Sequence, residues 1–338
     1  MGDPAGIGPE LCQKILRESA QIFPDIQLVV FGDLDVWKQG RDNGDNLGLL
    51  AIEKLDQQAP ADGPLLVDCG GMSGRDIVPG EVNAQTGAAS FDYVSQAIDA
   101  ALAGEVAAMV TGPIHKQAWQ AAGAGFTGHT ELLVARTAAP QHAMMLTSPE
   151  ITCSLVTTHV GIGDVSRLLT TSRILEVIEL TNHAISRVRG SAPRLALCGL
   201  NPHAGEGGLI GDNEESRMIE PALAEARHRG IQIVGPLPPD TAFLPQRRKA
   251  IDAYICMYHD QGLIPLKTLA FDEAVNVTLG LPIVRTSVDH GPALDIAGQG
   301  IASPKSMIAA VRYACRLIAD SVDTADNTNK TAYSNAND

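Results

Sequence analysis

Short apolar runs of strand length alternate with stripes of helical period along this chain, and that alternation restricts it to an α/β fold more tightly than any other feature. Residues 28–31, 65–67, 107–110, 143–146, 154–156, 195–198, 231–234, 254–257, 275–277 and 283–284 are mostly apolar and bounded by Gly, Pro, Asp or Thr, as buried strands are. Between them, Val94, Ala97, Ile98, Ala101 and Leu102 form one helical stripe, and Met218, Ile219, Ala222, Leu223 and Ala226 another. Gly2-Asp3-Pro4-Ala5-Gly6-Ile7-Gly8-Pro9-Glu10 reads as a glycine loop entering a helix, with Pro9 in the first turn and Glu10 near the positive end of the helix dipole. Such loops follow a strand, and none precedes this one; either the natural start lies upstream or one edge of the sheet is unfilled.

A chain of 338 residues can bury a large core and is expected to form two domains. With 45% apolar but only 4% aromatic residues, it suits a parallel sheet covered by helices. A net charge of −14 argues against nucleic acid or an anionic membrane as partner, so an anionic substrate would need a local cluster of cations. Cys12, Cys69, Cys153, Cys198, Cys256 and Cys315 are scattered through apolar runs without a close pair, which points to reduced core thiols and a cytoplasmic location. The sequence is read as having neither a signal peptide nor a membrane-spanning run. From Thr324 onward the chain is polar and aperiodic, the pattern of a disordered tail.

His159, His203 and His259 each sit just after a strand-like run, where open α/β sheets bind their ligands. A single such histidine is usually a hydrogen-bonded loop residue. Their surroundings set these apart: Thr157-Thr158-His159, Asn201-Pro202-His203-Ala204-Gly205-Glu206-Gly207-Gly208 and Tyr258-His259-Asp260-Gln261-Gly262 are rich in small residues and in side chains able to orient a ligand. His142, His183 and His228 lack such neighbours and read as structural. Three neutral imidazoles leave at least one coordination position open, which favours a catalytic ion, and their spacing matches no zinc finger. On residues alone, a metal-dependent hydrolase and a non-catalytic phosphate- or metal-binding protein stay open beside a dehydrogenase.

Six motifs, in order, carry a family resemblance: the glycine loop at 2–10, Thr111-Gly112-Pro113-Ile114-His115-Lys116, Phe126-Thr127-Gly128-His129-Thr130-Glu131, the Asn201–Gly208 string, Met257-Tyr258-His259-Asp260-Gln261-Gly262 and Arg285-Thr286-Ser287-Val288-Asp289-His290-Gly291. Together they resemble the 4-hydroxythreonine-4-phosphate dehydrogenase family of the vitamin B6 pathway, from residue 2 to about 320. The resemblance implies two α/β/α domains of isocitrate/isopropylmalate dehydrogenase type with the active site in the interdomain cleft. Residues 1–125 plus 278–322 would form the cofactor side, 126–277 the metal, substrate and dimerisation side, and 323–338 the tail.

It further implies that NAD or NADP is bound without a Rossmann fingerprint, and Gly205-Glu206-Gly207-Gly208 indeed has the wrong spacing for one. Residues 290–302 are similar to the adenosine-binding loop of that superfamily, with Asp289, His290, Gly291 and Asp295 as cofactor contacts. The family's substrate residues carry over onto His129, Thr130, Lys267, Asn276 and Arg285, with Asp240 placed to orient an amine or a water. Arg285 can grip a phosphate or carboxylate with a bidentate fork and Lys267 as a point charge. Both lie in otherwise apolar segments, where an unpaired charge is expensive. The implied reaction is oxidation of 4-phosphooxy-L-threonine at C3, then decarboxylation to 3-amino-2-oxopropyl phosphate, with one divalent ion (Zn, Mg or Co) per active site. Related enzymes oxidise D-threonate or D-erythronate 4-phosphate, and more distant ones cis-dihydrodiols. The family also implies a homodimer with a shared active site, and no nucleic-acid or membrane partner.

Overall fold

A computed structural model describes residues 1–39, 49–55, 63–72, 74–75 and 77–334, with side chains to residue 319; the tail expected to be disordered from Thr324 instead continues the helix Lys305–Ser334, and residues 335–338 lie outside the described ones. Strands form at β1 (Val29–Gly32), β2 (Leu50–Ile52), β3 (Leu65–Asp68), β4 (Ala108–Thr111), β5 (Ala143–Thr147), β6 (Thr152–Leu155), β7 (Leu195–Cys198), β8 (Ile233–Leu237), β9 (Ala253–Cys256), β10 (Val275–Leu279) and β11 (Val284–Val288). Every run read as a strand forms one. Among the described strands only β2 was not foreseen: Leu50-Ala51-Ile52 is apolar, but the run is only three residues long. The last strand runs on through Arg285, Thr286 and Ser287, whose polarity hides a strand that is nonetheless buried. The chain divides into two compact units, Met1–Ala139 with Pro282–Val311 and Pro140–Leu281 with Arg312–Asp338.

In the first unit, β3 is flanked by β1 and β2, both parallel to it, with Val30 and Ala51 opposite Leu66. Alternate residues of β3 face opposite sides, and both sides are covered. Leu65 and Val67 pack with Ala89 and Tyr93 of the helix Ala84–Leu102, whereas Leu66 packs with Cys12 and Leu16 of the helix Gly8–Ile22. A capping box starts the helix Ala84–Leu102: Asn83 Oδ1 accepts from the amides of Gln85 and Thr86, and Thr86 Oγ1 accepts from the Asn83 amide. Strand β11 pairs in parallel with β4 in the same unit.

The second unit contains a sheet in the order β10-β5-β6-β9-β7-β8. Strands β6, β9, β7 and β8 are parallel, whereas β5 is antiparallel to both β6 and β10. The sheet is thus mostly parallel, as the composition suits, with β5 as its antiparallel exception. Only residues 148–151 join β5 to β6, too few for a crossover, so the pair closes as a hairpin. Ser148 fastens it by accepting at Oγ from the Ile151 amide, and Thr147 and Thr152 join hydroxyls across its base. The core between sheet and helices holds Cys153, Leu155, Cys198, Tyr254, Cys256, Leu263 and Leu266, all buried. All six cysteines are unpaired, as expected, and no described helix is long and apolar enough to cross a membrane.

At Gly87 the helix Ala84–Leu102 meets the helix Lys116–Ala121 so closely that a Cβ would lie 2.1 Å from the Ala118 carbonyl oxygen. Glycine to alanine inside a helix ordinarily stabilises by about 1 kcal/mol. Here the sign reverses: Gly87→Ala must push two helices apart and is expected to destabilise by about 1–3 kcal/mol, read as a lower denaturant midpoint at an unchanged slope.

Candidate active site

Parallel pairing of β6 with β9 continues past the ends of the strands. The Val156 amide donates to the Cys256 carbonyl at 2.9 Å, and the amide and hydroxyl of Thr157 both donate to the Met257 carbonyl, at 3.2 and 2.7 Å. His159 and His259 follow at matching offsets, and their ring centroids come to 5.6 Å with the planes inclined at 45°. Two imidazoles on one tetrahedral ion, bonded at about 2.0–2.1 Å, have centroids roughly 5 Å apart, so this pair is spaced for a common ligand. Asp260 Oδ1 lies 2.7 Å from His259 Nδ1. A carboxylate accepts, which puts the proton on Nδ1 and leaves the Nε2 lone pair for a ligand.

Behind the pair, Gln261 ties the strand ends together. Its Oε1 accepts from the Met257 amide at 2.6 Å and its Nε2 donates to the Gly199 carbonyl at 2.7 Å. Gly262 lets the helix His259–Ala270 settle on the sheet, since a Cβ there would meet Cys153 Cβ and Cys256 Sγ at 3.0 Å.

His203 is held differently. It opens a run of six residues with positive φ: His203 (54°), Ala204 (53°), Gly205 (77°), Glu206 (44°), Gly207 (68°) and Gly208 (95°). Left-handed conformation costs an L-residue roughly 1–2 kcal/mol, so His203, Ala204 and Glu206 need outside support. Two buried carboxylates supply it. Glu215 Oε1 accepts from the amides of Leu200 and Asn201 at 2.9 and 2.8 Å, and its Oε2 from Asn201 Nδ2 at 2.9 Å. Glu214 accepts from Ser166 Oγ, Asn201 Nδ2 and the Asp212 amide at 2.6, 3.0 and 2.7 Å. Among the described residues, no group of three or more His, Cys, Asp or Glu side chains is arranged to hold a metal ion. The fold brings His159 and His259 together and does not gather His203 with them. In the same unit, Lys267 lies further along the helix that His259 begins, its ammonium 5.7 Å from the Phe271 ring centroid. Asn276 is half-buried in β10, and Asp240 is exposed in the short helix Pro239–Ala242.

The first unit carries the other expected substrate residues. Arg285 projects from β11 with 3% of its surface exposed, and its Nη2 donates to Thr111 Oγ1 at 2.7 Å on the paired strand β4. Burial pulls its guanidinium down to about 10, which still leaves it charged at neutral pH. His129 begins the helix His129–Thr137 with its ring against Trp119, centroids 5.6 Å apart. Desolvation first, and then the charge of Arg285, holds its imidazole well below the usual range, so it is neutral. Its Nε2 is buried without a hydrogen-bond partner. Thr130 is half-buried in the same first turn.

Asp289, His290, Gly291 and Asp295 lie in the coil that leaves β11, where His290 Nδ1 is 3.0 Å from the Gly291 carbonyl. That coil is bound to the N-terminal glycine loop: the Ile7 amide donates to the Pro292 carbonyl at 3.0 Å. Further on, Glu10 accepts from the amides of Gly300 and Ala302 at 3.1 and 2.7 Å, while Lys14 donates to the carbonyls of the same two residues at 2.8 and 2.6 Å. Beside this clasp is a cavity of about 420 Å³ lined by Glu10, Gln13, Lys14, Arg17 and Gln299. Sequence reasoning passed over Lys14, Glu214 and Glu215 and read Glu10 only as a dipole partner. For Glu10 and Lys14 the four-residue spacing is a usable signal; for Glu214 and Glu215 no such spacing exists, because apart from the Asp212 amide their partners lie 13 or more residues away.

Comparison with known proteins finds relatives over most of the chain. The family model described as pyridoxal phosphate biosynthetic protein PdxA matches residues 25–314. The chain is 43% identical over 319 residues to 4-hydroxythreonine-4-phosphate dehydrogenase of Geobacter metallireducens, covering 94% of each. It is 41% identical over 320 residues to D-threonate 4-phosphate dehydrogenase of Salmonella typhimurium, covering 94% of this chain and 97% of that protein. Among solved structures, 4-hydroxythreonine-4-phosphate dehydrogenase from Klebsiella pneumoniae is similar at a TM-score of 0.80 and 38% identity, covering 94% of this chain and 96% of that one.

Burial pushes the Glu214 carboxyl up, but the hydrogen bonds from Ser166, Asp212 and Asn201 outweigh it and hold the group at about 2, against 4.5 for an ordinary glutamate. A carboxyl depressed on folding stabilises above its unfolded value, and that stabilisation drains away as pH falls from 4.5 toward 2. Glu214→Gln is therefore expected to be less stable at neutral pH and to lose stability less steeply across that window, as followed by thermal unfolding at stepped pH.

Proposed function

The chain belongs to the PdxA family of pyridoxal phosphate biosynthetic proteins, and from that footing we propose that it is a nicotinamide-dependent dehydrogenase of a phosphorylated four-carbon hydroxy acid. The preferred substrate is 4-phosphooxy-L-threonine, oxidised at C3 and decarboxylated to 3-amino-2-oxopropyl phosphate. The observation that carries this reading is the buried, charged Arg285 beside a neutral His129 whose Nε2 has no partner. A buried cation and an unsatisfied imidazole nitrogen form a receptor for an anion. A phosphate fits that receptor, and a dihydrodiol without an anionic group offers no counter-charge to it. D-Threonate 4-phosphate, the substrate named for the Salmonella relative, offers the same phosphate and is the second reading.

Each residue then has a task. Arg285 and His129 hold the phosphate, with the Thr130 hydroxyl as a further donor, while Lys267 and Asn276 bind other oxygens of the substrate and Asp240 orients its amine. His159, His203 and His259 would hold a divalent ion; the 5.6 Å spacing of the first and last rings and the Asp260 carboxylate on His259 Nδ1 both fit that role. When bound, the ion supplies Lewis acidity at the C3 oxygen, and NAD or NADP supplies the hydride acceptor. Asp289, His290, Gly291 and Asp295 would contact the nucleotide, on a coil whose continuation is pinned by Glu10 and Lys14.

The site is proposed to be shared by two copies of the chain. Val160 and Ile162 directly after His159, Leu209 after the His203 loop and Ile264 on the helix of His259 are 40, 72, 83 and 64% exposed. Large apolar side chains left so open beside candidate ligands favour cover by a second copy.

A screen of phosphorylated four-carbon hydroxy acids with NAD and NADP, followed at the absorbance of the reduced nicotinamide, tests the function. Reduction with release of carbon dioxide is expected from 4-phosphooxy-L-threonine; release of inorganic phosphate with no reduced nicotinamide would instead identify a hydrolase. Arg285→Lys keeps the charge and loses the fork, so the KM for the phosphorylated substrate should rise about 10- to 100-fold while the KM for nucleotide stays put.

A further inference from the structure

We infer that Glu215 is a positioning residue for His203, its carboxylate being the post around which the loop carrying that imidazole is wound. The inference rests on the reading of His203 as a metal-ligating residue, and it concerns how this chain presents that residue before any ion arrives.

A left-handed run through His203, Ala204 and Glu206 is a shape that an unrestrained chain of L-residues leaves. It persists where contacts peculiar to it outweigh the alternatives. Glu215 makes those contacts at the entry and in the middle of the turn. Its Oε1 takes the amides of Leu200 and Asn201, the residues that lead into Pro202 and His203. Its Oε2 takes Asn201 Nδ2 and lies where a Cβ on Gly205 would come within 2.6 Å of it, so the middle of the turn is moulded against the carboxylate. Gly199 is packed as closely, its Cβ position 2.8 Å from Ala204 Cα and 3.3 Å from Glu215 Oε1. Neighbouring Glu214 fastens the exit at Asp212. Entry, middle and exit are thus referred to two adjacent residues around the start of the Glu215–Ile219 turn.

The chemistry specifies a carboxylate. Three donors converge on the two oxygens of Glu215, and a carboxylate accepts at both. Glutamine has nearly the same shape but a single acceptor, and its amide nitrogen would be set against N–H donors. Glu215→Gln therefore preserves packing while releasing one end of the loop.

The test uses the full chain stripped of metal, with hydrogen exchange of the amides at 200–211 and titration with Co²⁺ followed by calorimetry and by visible d–d absorption. In Glu215→Gln, exchange at Leu200 and Asn201 should quicken by about tenfold or more, and Co²⁺ should bind about 10- to 100-fold more weakly, with exchange in β5–β10 unchanged. Gly205→Ala pushes on the carboxylate from the loop side and should reproduce both effects, the double variant being no worse than the more severe single one. If Glu215→Gln does not fold, Gly205→Ala decides the matter by the same readouts. Wild-type loop exchange and wild-type Co²⁺ affinity, in a protein whose His203→Ala variant does lose Co²⁺, would overturn the positioning role and leave the metal reading standing. Wild-type Co²⁺ affinity in His203→Ala itself would remove the metal reading, and the role of Glu215 toward it as well.

Discussion

Parallel strands leave a sheet with their carboxyl ends side by side, and in the second unit the hydrogen bonds from Val156 and Thr157 to Cys256 and Met257 extend that alignment beyond the last regular residues. The position of His159 relative to His259 depends on this extension, because without it two loops would leave the sheet independently. Gln261 adds the neighbouring strand by bonding both the Met257 amide and the Gly199 carbonyl. The three strand ends that carry the candidate ligands are in this way referred to one buried side chain. Gly262 completes the arrangement by letting the helix of His259 sit directly on Cys153 and Cys256.

Much of this was legible in the sequence, and the exceptions have physical causes. Strand positions were readable because buried strands must be apolar, and the histidines were readable because they stood at the ends of those strands in small, polar surroundings. The mixed direction of the sheet was encoded in the four-residue link 148–151, a length that rules out a crossover. Strand β2 escaped because its apolar run, Leu50-Ala51-Ile52, is only three residues long, and the polar half of β11 because Arg285, Thr286 and Ser287 are buried through pairing and hydrogen bonds. Glu214 and Glu215 could not be read at all: a pair of glutamates before a helix looks like a solvated face until the loop that leans on it is known.

The two units divide the chemistry. In the first unit burial lowers two cationic groups alike, leaving Arg285 charged and His129 neutral because their ordinary values lie far apart. That unit also carries the coil at 289–302, tied by the Glu10–Lys14 clasp to the helix that the glycine loop enters. The second offers imidazoles whose geometry is paired for His159 and His259 and separately braced for His203. The proposed site uses all three imidazoles, this chain gathers two of them, and a second copy is the proposed source of the third.

Subunit exchange tests that claim most directly. His203→Ala and His259→Ala homodimers, each inactive, are mixed under conditions that let chains exchange, and nicotinamide reduction is measured alongside proof of heterodimer formation. If His159 and His259 of one chain act with His203 of the other, each heterodimer holds one intact site and recovers about half the wild-type activity per dimer, whereas mixing His159→Ala with His259→Ala recovers none. Proven heterodimers of the first pair without activity would contradict the shared site.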